Sequence, residues 1–144
     1  MDFKTTTDIL SEVYRDSIAI RAEVFIEEQK VDPSLEIDEL EDQTLHIVGY
    51  EDDKPVCTAR LLKKADNSVK VQRVAVLSPY RKRGMGRLLL KHIEKIAKEQ
   101  LHGSSLILDS QDHAISFYEK EGFTVHGEGF LDAGIPHHFM QKKI

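Results

Sequence analysis

A basic, glycine-containing run has the residue types and spacing of an anion-binding loop. It follows a valine-rich predicted strand (residues 69–76) and opens a strongly amphipathic predicted helix. The first N–H groups of a helix have no partner within the helix, and the helix dipole adds positive charge there. The two glycines allow a ligand close to the backbone, and the three arginines suit phosphate oxygens, so the run predicts a pyrophosphate-binding loop. Its members are Arg81, Lys82, Arg83, Gly84, Met85, Gly86 and Arg87.

The same run is also compatible with an ordinary basic turn in front of a surface helix. Two other phosphate-binding loops are excluded, because the chain contains neither Gly-x-x-x-x-Gly-Lys-Ser/Thr nor Gly-x-Gly-x-x-Gly. Nucleotide binding of the P-loop kind and dinucleotide binding of the Rossmann kind are therefore not predicted.

Composition limits the classes of ligand. The 144 residues carry 20 Lys and Arg against 25 Asp and Glu, a formal net charge of −5, which argues against nucleic acid as a partner. The single cysteine, Cys57, allows neither an internal disulfide nor a cysteine-based zinc site, and we predict no metal site. No apolar run is long enough to span a bilayer and the N-terminus lacks a signal-peptide pattern, so we expect no membrane association and a cytoplasmic location.

Hydrophobic periodicity predicts mixed helices and strands. Strands are expected at residues 3–7, 45–50, 56–62, 69–76, 105–108, 123–125 and 138–142. A first helix is expected to begin at residue 11 and to end before the loop at residues 32–42. Further helices are expected at residues 87–102 and 111–121, and a second loop at residues 127–136. This order predicts an α/β (α+β) fold, with a single mixed β-sheet flanked by helices, in one domain that spans residues 1–144.

The predicted loop at residues 32–42 is strongly acidic. The simplest interpretation is a solvated surface loop, and the alternative is an attraction for a cationic ligand. The acidic residues are Glu36, Asp38, Glu39, Glu41 and Asp42.

Two motifs resemble the signatures of the GNAT (GCN5-related) N-acetyltransferase family. The first, Arg81-Lys82-Arg83-Gly84-Met85-Gly86, fits the pattern Arg/Gln-x-x-Gly-x-Gly/Ala. The second spans residues 111–123 and is similar to Asn-x-x-Ala-x-x-x-Tyr-x-x-x-Gly-Phe, with Gln111 in the place of the usual Asn. The motifs occur in the family's order and spacing, and the resemblance covers almost the whole chain.

Three further segments resemble the ElaA-like or YjcF-like branch of this family. They are residues 21–29, the pair Glu36 and Asp38, and residues 134–137. The resemblance implies the GNAT acyl-CoA N-acyltransferase fold.

The resemblance also implies acetyl-CoA as the co-substrate, with the first motif around its pyrophosphate and the preceding strand along its pantetheine arm. It places a β-bulge in that strand, where a backbone N–H is the natural donor to the oxyanion. The implied cofactor-binding residues are Val74, Ala75, Val76, Arg81, Lys82, Arg83, Gly84, Met85, Gly86, Arg87, Gln111, Ala114, Phe117 and Tyr118.

Acetyl transfer from a thioester to an amine requires a neutral amine, a stabilised carbonyl oxygen and a protonated leaving thiolate. Tyr118 is predicted to supply that proton, since the matching tyrosine of the family points at the cofactor sulfur. A phenol, with an ordinary pKa of about 10, is a donor of nearly the same acidity as a thiol, at about 8.5. The alternative is a core tyrosine on an apolar helix face. Cys57 has no base partner adjacent in sequence, which favours direct attack in a ternary complex.

Glu28 is predicted as the general base, because the end of the first helix borders the acceptor site in the family fold. Glu27, His46, Asp38 and His137 compete with it. The predicted acceptor-binding residues are Glu28, Asp38 and His137. For each acidic candidate the alternative is a solvated surface charge, and for His137 it is a half-exposed strand histidine.

Together these interpretations predict an N-acetyltransferase that acts on the primary amine of a small-molecule or peptide acceptor. The alternatives are a non-catalytic acyl-CoA-binding sensor and a general nucleotide-phosphate binder. The family resemblance is also compatible with a homodimer.

Overall fold

The computed structural model describes all 144 residues. The strands are β1 (Asp2–Thr6), β2 (Leu45–Glu51), β3 (Lys54–Lys63), β4 (Ser68–Val76), β5 (Ser105–Gln111), β6 (Thr124–Val125), β7 (Phe130–Asp132) and β8 (Ile135–Lys143). The helices are α1 (Glu12–Arg21), α2 (Pro33–Glu36), α3 (Met85–Glu99) and α4 (Ile115–Lys120), and a π-helix (Ala22–Glu28) continues α1. None of the helices has the length and apolarity that crossing a membrane would require.

All eight strands join one mixed sheet. Its order is β1-β2-β3-β4-β5-β8-β6, with β7 paired to β8. Only β4 and β5 are parallel, and every other pair is antiparallel. Because α1 packs against β2 and β3 and α3 against β3 and β4, the predicted α/β (α+β) fold with one mixed sheet flanked by helices is confirmed.

Two apolar clusters hold the helices on the sheet. The larger cluster joins α3, through residues such as Leu89 and Ile93, to the valines of β4 that face it. The smaller cluster joins Ile20 and Val24 to Ala75 of β4. β4 is therefore packed on both faces, which agrees with its valine-rich sequence and central position.

β4 and β5 separate soon after they begin. Ser68, Val69 and Lys70 pair with residues 105–107 of β5, and no pairing continues beyond them. Residues 71–76 therefore have no ladder partner on the side of β5, and the two strands leave a gap in the middle of the sheet.

A β-bulge interrupts β4 beside this gap. Ala59 of β3 alone lies opposite Arg73 and Val74, because the pairs on either side of it are regular. Arg73 adopts a φ of 56°, in the left-handed region. The bulge that the family resemblance implied is confirmed.

Three predicted segments differ in detail from the structure. The first helix stops being α-helical at Arg21 and continues as a π-helix to Glu28, the residue predicted to lie at its end. The predicted acidic loop contains α2. The third predicted helix begins only at Ile115, because Gln111 ends β5 and a 3-10 turn follows it.

The predicted loop at residues 127–136 contains a strand that the sequence prediction missed. β7 is three residues long and forms a hairpin with β8. Ala133 and Gly134 make its turn with φ values of 50° and 77°, which is the conformation that suits a two-residue hairpin turn. A strand this short has no detectable alternation of apolar and polar residues, so only its turn could have indicated it.

Candidate active site

A cavity of about 900 Å³ lies where β4 and β5 separate. It brings together residues from β4, the basic loop, the start of α3, the end of β5, α4 and the β7–β8 hairpin. Most of the residues predicted for the site line it, and the exceptions are Arg83, Glu28 and Asp38. The predicted residues that line it are Val74, Ala75, Val76, Arg81, Lys82, Gly84, Met85, Gly86, Arg87, Gln111, Ala114, Phe117, Tyr118 and His137.

The basic loop forms the N-terminal end of α3 at one side of the cavity. Gly84 is the N-cap, with a φ of 77°, and no side chain caps the helix. A Cβ built on Gly84 would have no atom within 4 Å, so the space in front of it is open. A Cβ on Gly86 would lie 3.0 Å from Phe117, so this glycine allows α3 and α4 to approach closely. The first-turn N–H groups are therefore available to an anion.

Each of the three arginines of the loop pairs with a carboxylate from elsewhere in the fold. The Arg81 guanidinium makes a two-pronged pair with Glu28, at 2.9 and 3.1 Å, and its Nε donates to the Val76 carbonyl at 2.8 Å. The other pairs are Arg83 with Glu51 and Arg87 with Glu121. These arginines are substantially exposed, so the pairs can exchange with a ligand at small cost.

Tyr118 lies on α4 and is 8% exposed. Its ring packs edge-on against Phe117 and Phe123, with centroid distances of 5.1 and 5.6 Å. Its hydroxyl makes no hydrogen bond to the protein, although the residue lines the cavity. Burial raises the pKa of the Tyr118 phenol above its ordinary value, so the group stays protonated and is able to donate at neutral pH.

His137 lines the cavity from the start of β8 and is 8% exposed. Its Nδ1 lies 2.6 Å from the Ile135 carbonyl oxygen. A carbonyl oxygen only accepts hydrogen bonds, so Nδ1 carries the proton and Nε2 of the neutral ring is left as an acceptor. The ring stacks on Phe130 of β7 at 6.0 Å, which fixes its plane.

The other candidate bases do not line the cavity. Glu28 ends the π-helix and is held by Arg81. His46 is fully buried, and its Nε2 contacts the Glu41 carbonyl at 2.8 Å. Asp38 pairs with Arg60, at 2.8 Å. In this arrangement His137 is the candidate with a free ring nitrogen at the cavity.

The acidic segment is not a solvated loop, and that interpretation was wrong for its central residues. Glu36 is 3% exposed and Glu41 is 6% exposed. Both pair with Arg21, at 2.5 and 2.8 Å, and Arg21 is fully buried. Of the five acidic residues named above, only Glu39 and Asp42 are exposed, as was predicted for all five.

These groups form a buried charge network of three arginines and three carboxylates. Its members are Arg21, Glu36, Asp38, Glu41, Arg60 and Arg73. A buried charge is costly unless it is paired, and here every charge has an opposite partner. The segment therefore offers little net negative charge for the attraction of a cation.

Acidification is expected to destabilise the protein through this network. Burial would raise the pKa of Asp38 and Glu41, but hydrogen bonds from Arg60 and Arg21 hold both pKa values below the ordinary range. Their stabilisation is present above the unfolded values, about 4, and is lost as the pH falls through the folded values. The melting temperature should be level near pH 7 and fall below about pH 4.

The Asp38→Asn variant isolates this effect. Glu36 acts in the opposite sense, because burial raises the pKa of its carboxyl group. Protonation of Glu36 at low pH therefore partly offsets the stability lost through Asp38 and Glu41. Because the variant lacks the Asp38 carboxylate, it should have a lower melting temperature than the parent protein at pH 7. The acid limb of its curve, which is the fall in melting temperature below about pH 4, should be shallower. An acid limb as steep as that of the parent protein would contradict the assignment to Asp38.

Cys57 is fully buried on β3 and lies outside the cavity. Burial raises the pKa of its thiol to about 11, which suppresses the nucleophilic thiolate. Cys57 is part of the larger apolar cluster and fills the core.

Gln29 and Arg73 line the cavity but were not predicted from the sequence. Gln111 donates to the Gln29 side chain at 2.8 Å, and so links the end of β5 to the end of the π-helix. Arg73 lies at the bulge of β4. Gln29 and Arg73 carry no distinctive spacing, and only the positions of their elements bring them to the site.

The fold is that of GNAT N-acetyltransferases. Residues 10–144 match the family described as the acetyltransferase (GNAT) domain, and the chain belongs to that family. It is therefore an acyltransferase of the GNAT class.

The relatives also place the chain in the ElaA-like and YjcF-like branch. It is 43% identical to YjcF of Bacillus subtilis, an uncharacterized N-acetyltransferase, over 91% of this chain and 93% of the relative. An acyl-CoA N-acyltransferase from Pseudomonas aeruginosa has a similar crystal structure, with a TM-score of 0.86, 27% identity and coverage of 99% of both chains. Escherichia coli ElaA matches with a TM-score of 0.86 and 26% identity over 98% of both chains.

Proposed function

We propose that this protein transfers an acetyl group from acetyl-CoA to a primary amine by direct attack in a ternary complex. The observation that carries the proposal is that the basic loop, the gap beside β4 and Tyr118 meet in the same cavity. The acceptor is a small-molecule or peptide amine, and the proposed location is the cytoplasm.

We propose that acetyl-CoA lies along this cavity, from the basic loop to the gap beside β4. The pyrophosphate would lie at the start of α3, where the space before Gly84 is open and N–H groups face it. The pantetheine arm contains amide groups, and residues 71–76 have no ladder partner on that side. The amide groups of such an arm can form hydrogen bonds with the backbone groups of β4 that β5 leaves unpaired.

The protein's own groups then promote the transfer. Bound acetyl-CoA supplies the activated acetyl group as a thioester. The backbone N–H at the bulge, in Val74, is proposed to donate to the carbonyl oxygen as negative charge develops. Tyr118 is proposed to give its proton to the departing thiolate as the C–S bond breaks and the C–N bond forms.

Glu28 and His137 are the two groups proposed to accept the ammonium proton. His137 supports this role because Nε2 of the neutral ring is an acceptor without a protein partner. Glu28 can act only after Arg81 leaves it, since the guanidinium occupies both carboxylate oxygens. Binding of the pyrophosphate to Arg81 would release it.

The proposal is tested by measuring CoA release from acetyl-CoA with a panel of small amines and peptides. Turnover with at least one amine, together with tighter binding of CoA than of ADP, is the expected result. Tight CoA binding without turnover on any amine would support the sensor instead. Equal binding of CoA and ADP would support a general nucleotide-phosphate binder.

The Glu28→Gln variant is expected to bind acetyl-CoA more tightly by about two- to five-fold, because Arg81 no longer has to leave a carboxylate and such exposed pairs are weak. Its turnover should fall if Glu28 is the base. Isothermal titration and steady-state rates measure the two effects separately.

Glu51→Gln is the matched control, because it removes the partner of Arg83, which does not line the cavity. It should change the dissociation constant less than Glu28→Gln does. Equal effects of the two variants would mean that only the overall charge matters.

A further inference from the structure

Arg73 has an unusual backbone conformation at a position where the cavity is built. It is the first residue of the β4 bulge, and its φ of 56° lies in a region that L side chains adopt at a cost. A glycine would adopt this conformation without that cost. The arginine side chain must therefore contribute something that a glycine would not.

The side chain of Arg73 joins β4 to α2. Its Nε contacts the Glu36 carboxylate at 3.0 Å, and its Nη2 donates to the Glu36 and Leu35 carbonyls at 3.1 and 3.2 Å. Asp38 lies 3.4 Å from the same nitrogen. The last carbonyls of a helix have no partner within it, so the guanidinium satisfies groups that α2 leaves free.

α2 and Val31, two residues before it, form one side of the cavity. Val31, Leu35 and Glu36 line it, and we call these three residues the acceptor wall. α2 has only four residues, too few to be stable as an isolated helix. Its position therefore depends on side chains that reach it, which are Arg21 from α1 and Arg73 from β4.

We propose that Arg73 is the positioning residue of the acceptor site, because it fixes the distance between the acceptor wall and β4. Arg21 holds the wall to α1, but only Arg73 holds it to the strand that borders the gap. Only the kinetic test of this proposal rests on the proposed acyl transfer. Without Arg73 an amine held by the wall is displaced from the reacting carbonyl.

Three substitutions separate the side chain from the backbone. Arg73→Gly removes the side-chain contacts and also relieves the backbone strain. Arg73→Ala removes the contacts but keeps the strained φ. Arg73→Lys keeps the positive charge but lacks the several N–H donors of the planar guanidinium. Asn67→Gly is the matched control, because Asn67 has a φ of 68° in the turn before β4 and does not line the cavity.

The expected result is a selective loss on the acceptor side. In Arg73→Gly and Arg73→Ala the KM of the acceptor should rise at least about tenfold, with the acetyl-CoA dissociation constant within about twofold. Amide hydrogen exchange at residues 31–38 should accelerate at least about tenfold while the core of α3 is unchanged. Arg73→Lys should lie between, and Asn67→Gly should match the parent protein.

Unchanged exchange at residues 31–38 in Arg73→Gly would overturn the proposal, as would an equal acceleration over the whole chain. Arg73→Gly carries no backbone strain, so it remains usable if Arg73→Ala does not fold. If no amine is turned over, the acyl-transfer proposal fails, but the exchange measurement still decides the role of Arg73.

Discussion

Replacing Tyr118 with phenylalanine is expected to lower kcat by about 100-fold or more, since a positioned proton donor typically contributes that much. The ring stays packed between Phe117 and Phe123, and only a hydroxyl without a protein partner is removed. Affinity for acetyl-CoA should therefore remain close to that of the parent protein.

Steady-state rates with a good acceptor and equilibrium binding of acetyl-CoA test this expectation. Tyr50→Phe is the control, because it also removes a hydroxyl, one that donates to Asp16 at 2.6 Å outside the cavity. It should leave kcat unchanged. A Tyr118→Phe enzyme that turns over at the normal rate would exclude the phenol as the proton donor.

Replacing Arg21 with methionine is expected to reduce the free energy of unfolding by about 3–5 kcal/mol, the usual cost of breaking a buried ion pair from one side. Arg21 is fully buried, and its loss leaves Glu36 and Glu41 without their common partner. The free energy of unfolding of a domain of this size is only about 5–15 kcal/mol, so the variant should be close to unfolding.

Urea unfolding measures this loss. Arg83→Met is the control, because its pair with Glu51 is exposed and should be worth less than about 1 kcal/mol. Adding Glu41→Gln to Arg21→Met should restore part of the stability, since one uncompensated charge is removed. A single Arg21→Met variant as stable as the control would contradict the structural role of the network.

The sequence was most informative where a local pattern decides the structure. α3 begins at its glycine loop, and its apolar face and that of β4 follow from periodicity alone. The two motifs also located the basic loop and α4 at the cavity, because each motif lies at the end of a strand that borders the gap.

Tertiary partners decided the parts that were predicted incorrectly. Glu36 and Glu41 read as solvated charges, because their partner Arg21 is 15 and 20 residues away and sequence spacing does not reveal the pairing. The role of Glu28 stays a prediction, and its contact with Arg81 spans 53 residues. The role of Arg73 could be inferred only from its φ value and its contacts to α2.

The gap between β4 and β5 also bears on how the protein associates with other chains. A sheet that separates in the middle has two inner edges besides its two outer ones, and an open edge is a template for a foreign strand. A ligand that fills the gap and a chain that adds to it require the same backbone groups. Binding of a ligand in the cavity and edge-to-edge pairing with another chain therefore compete for the same backbone groups of residues 71–76.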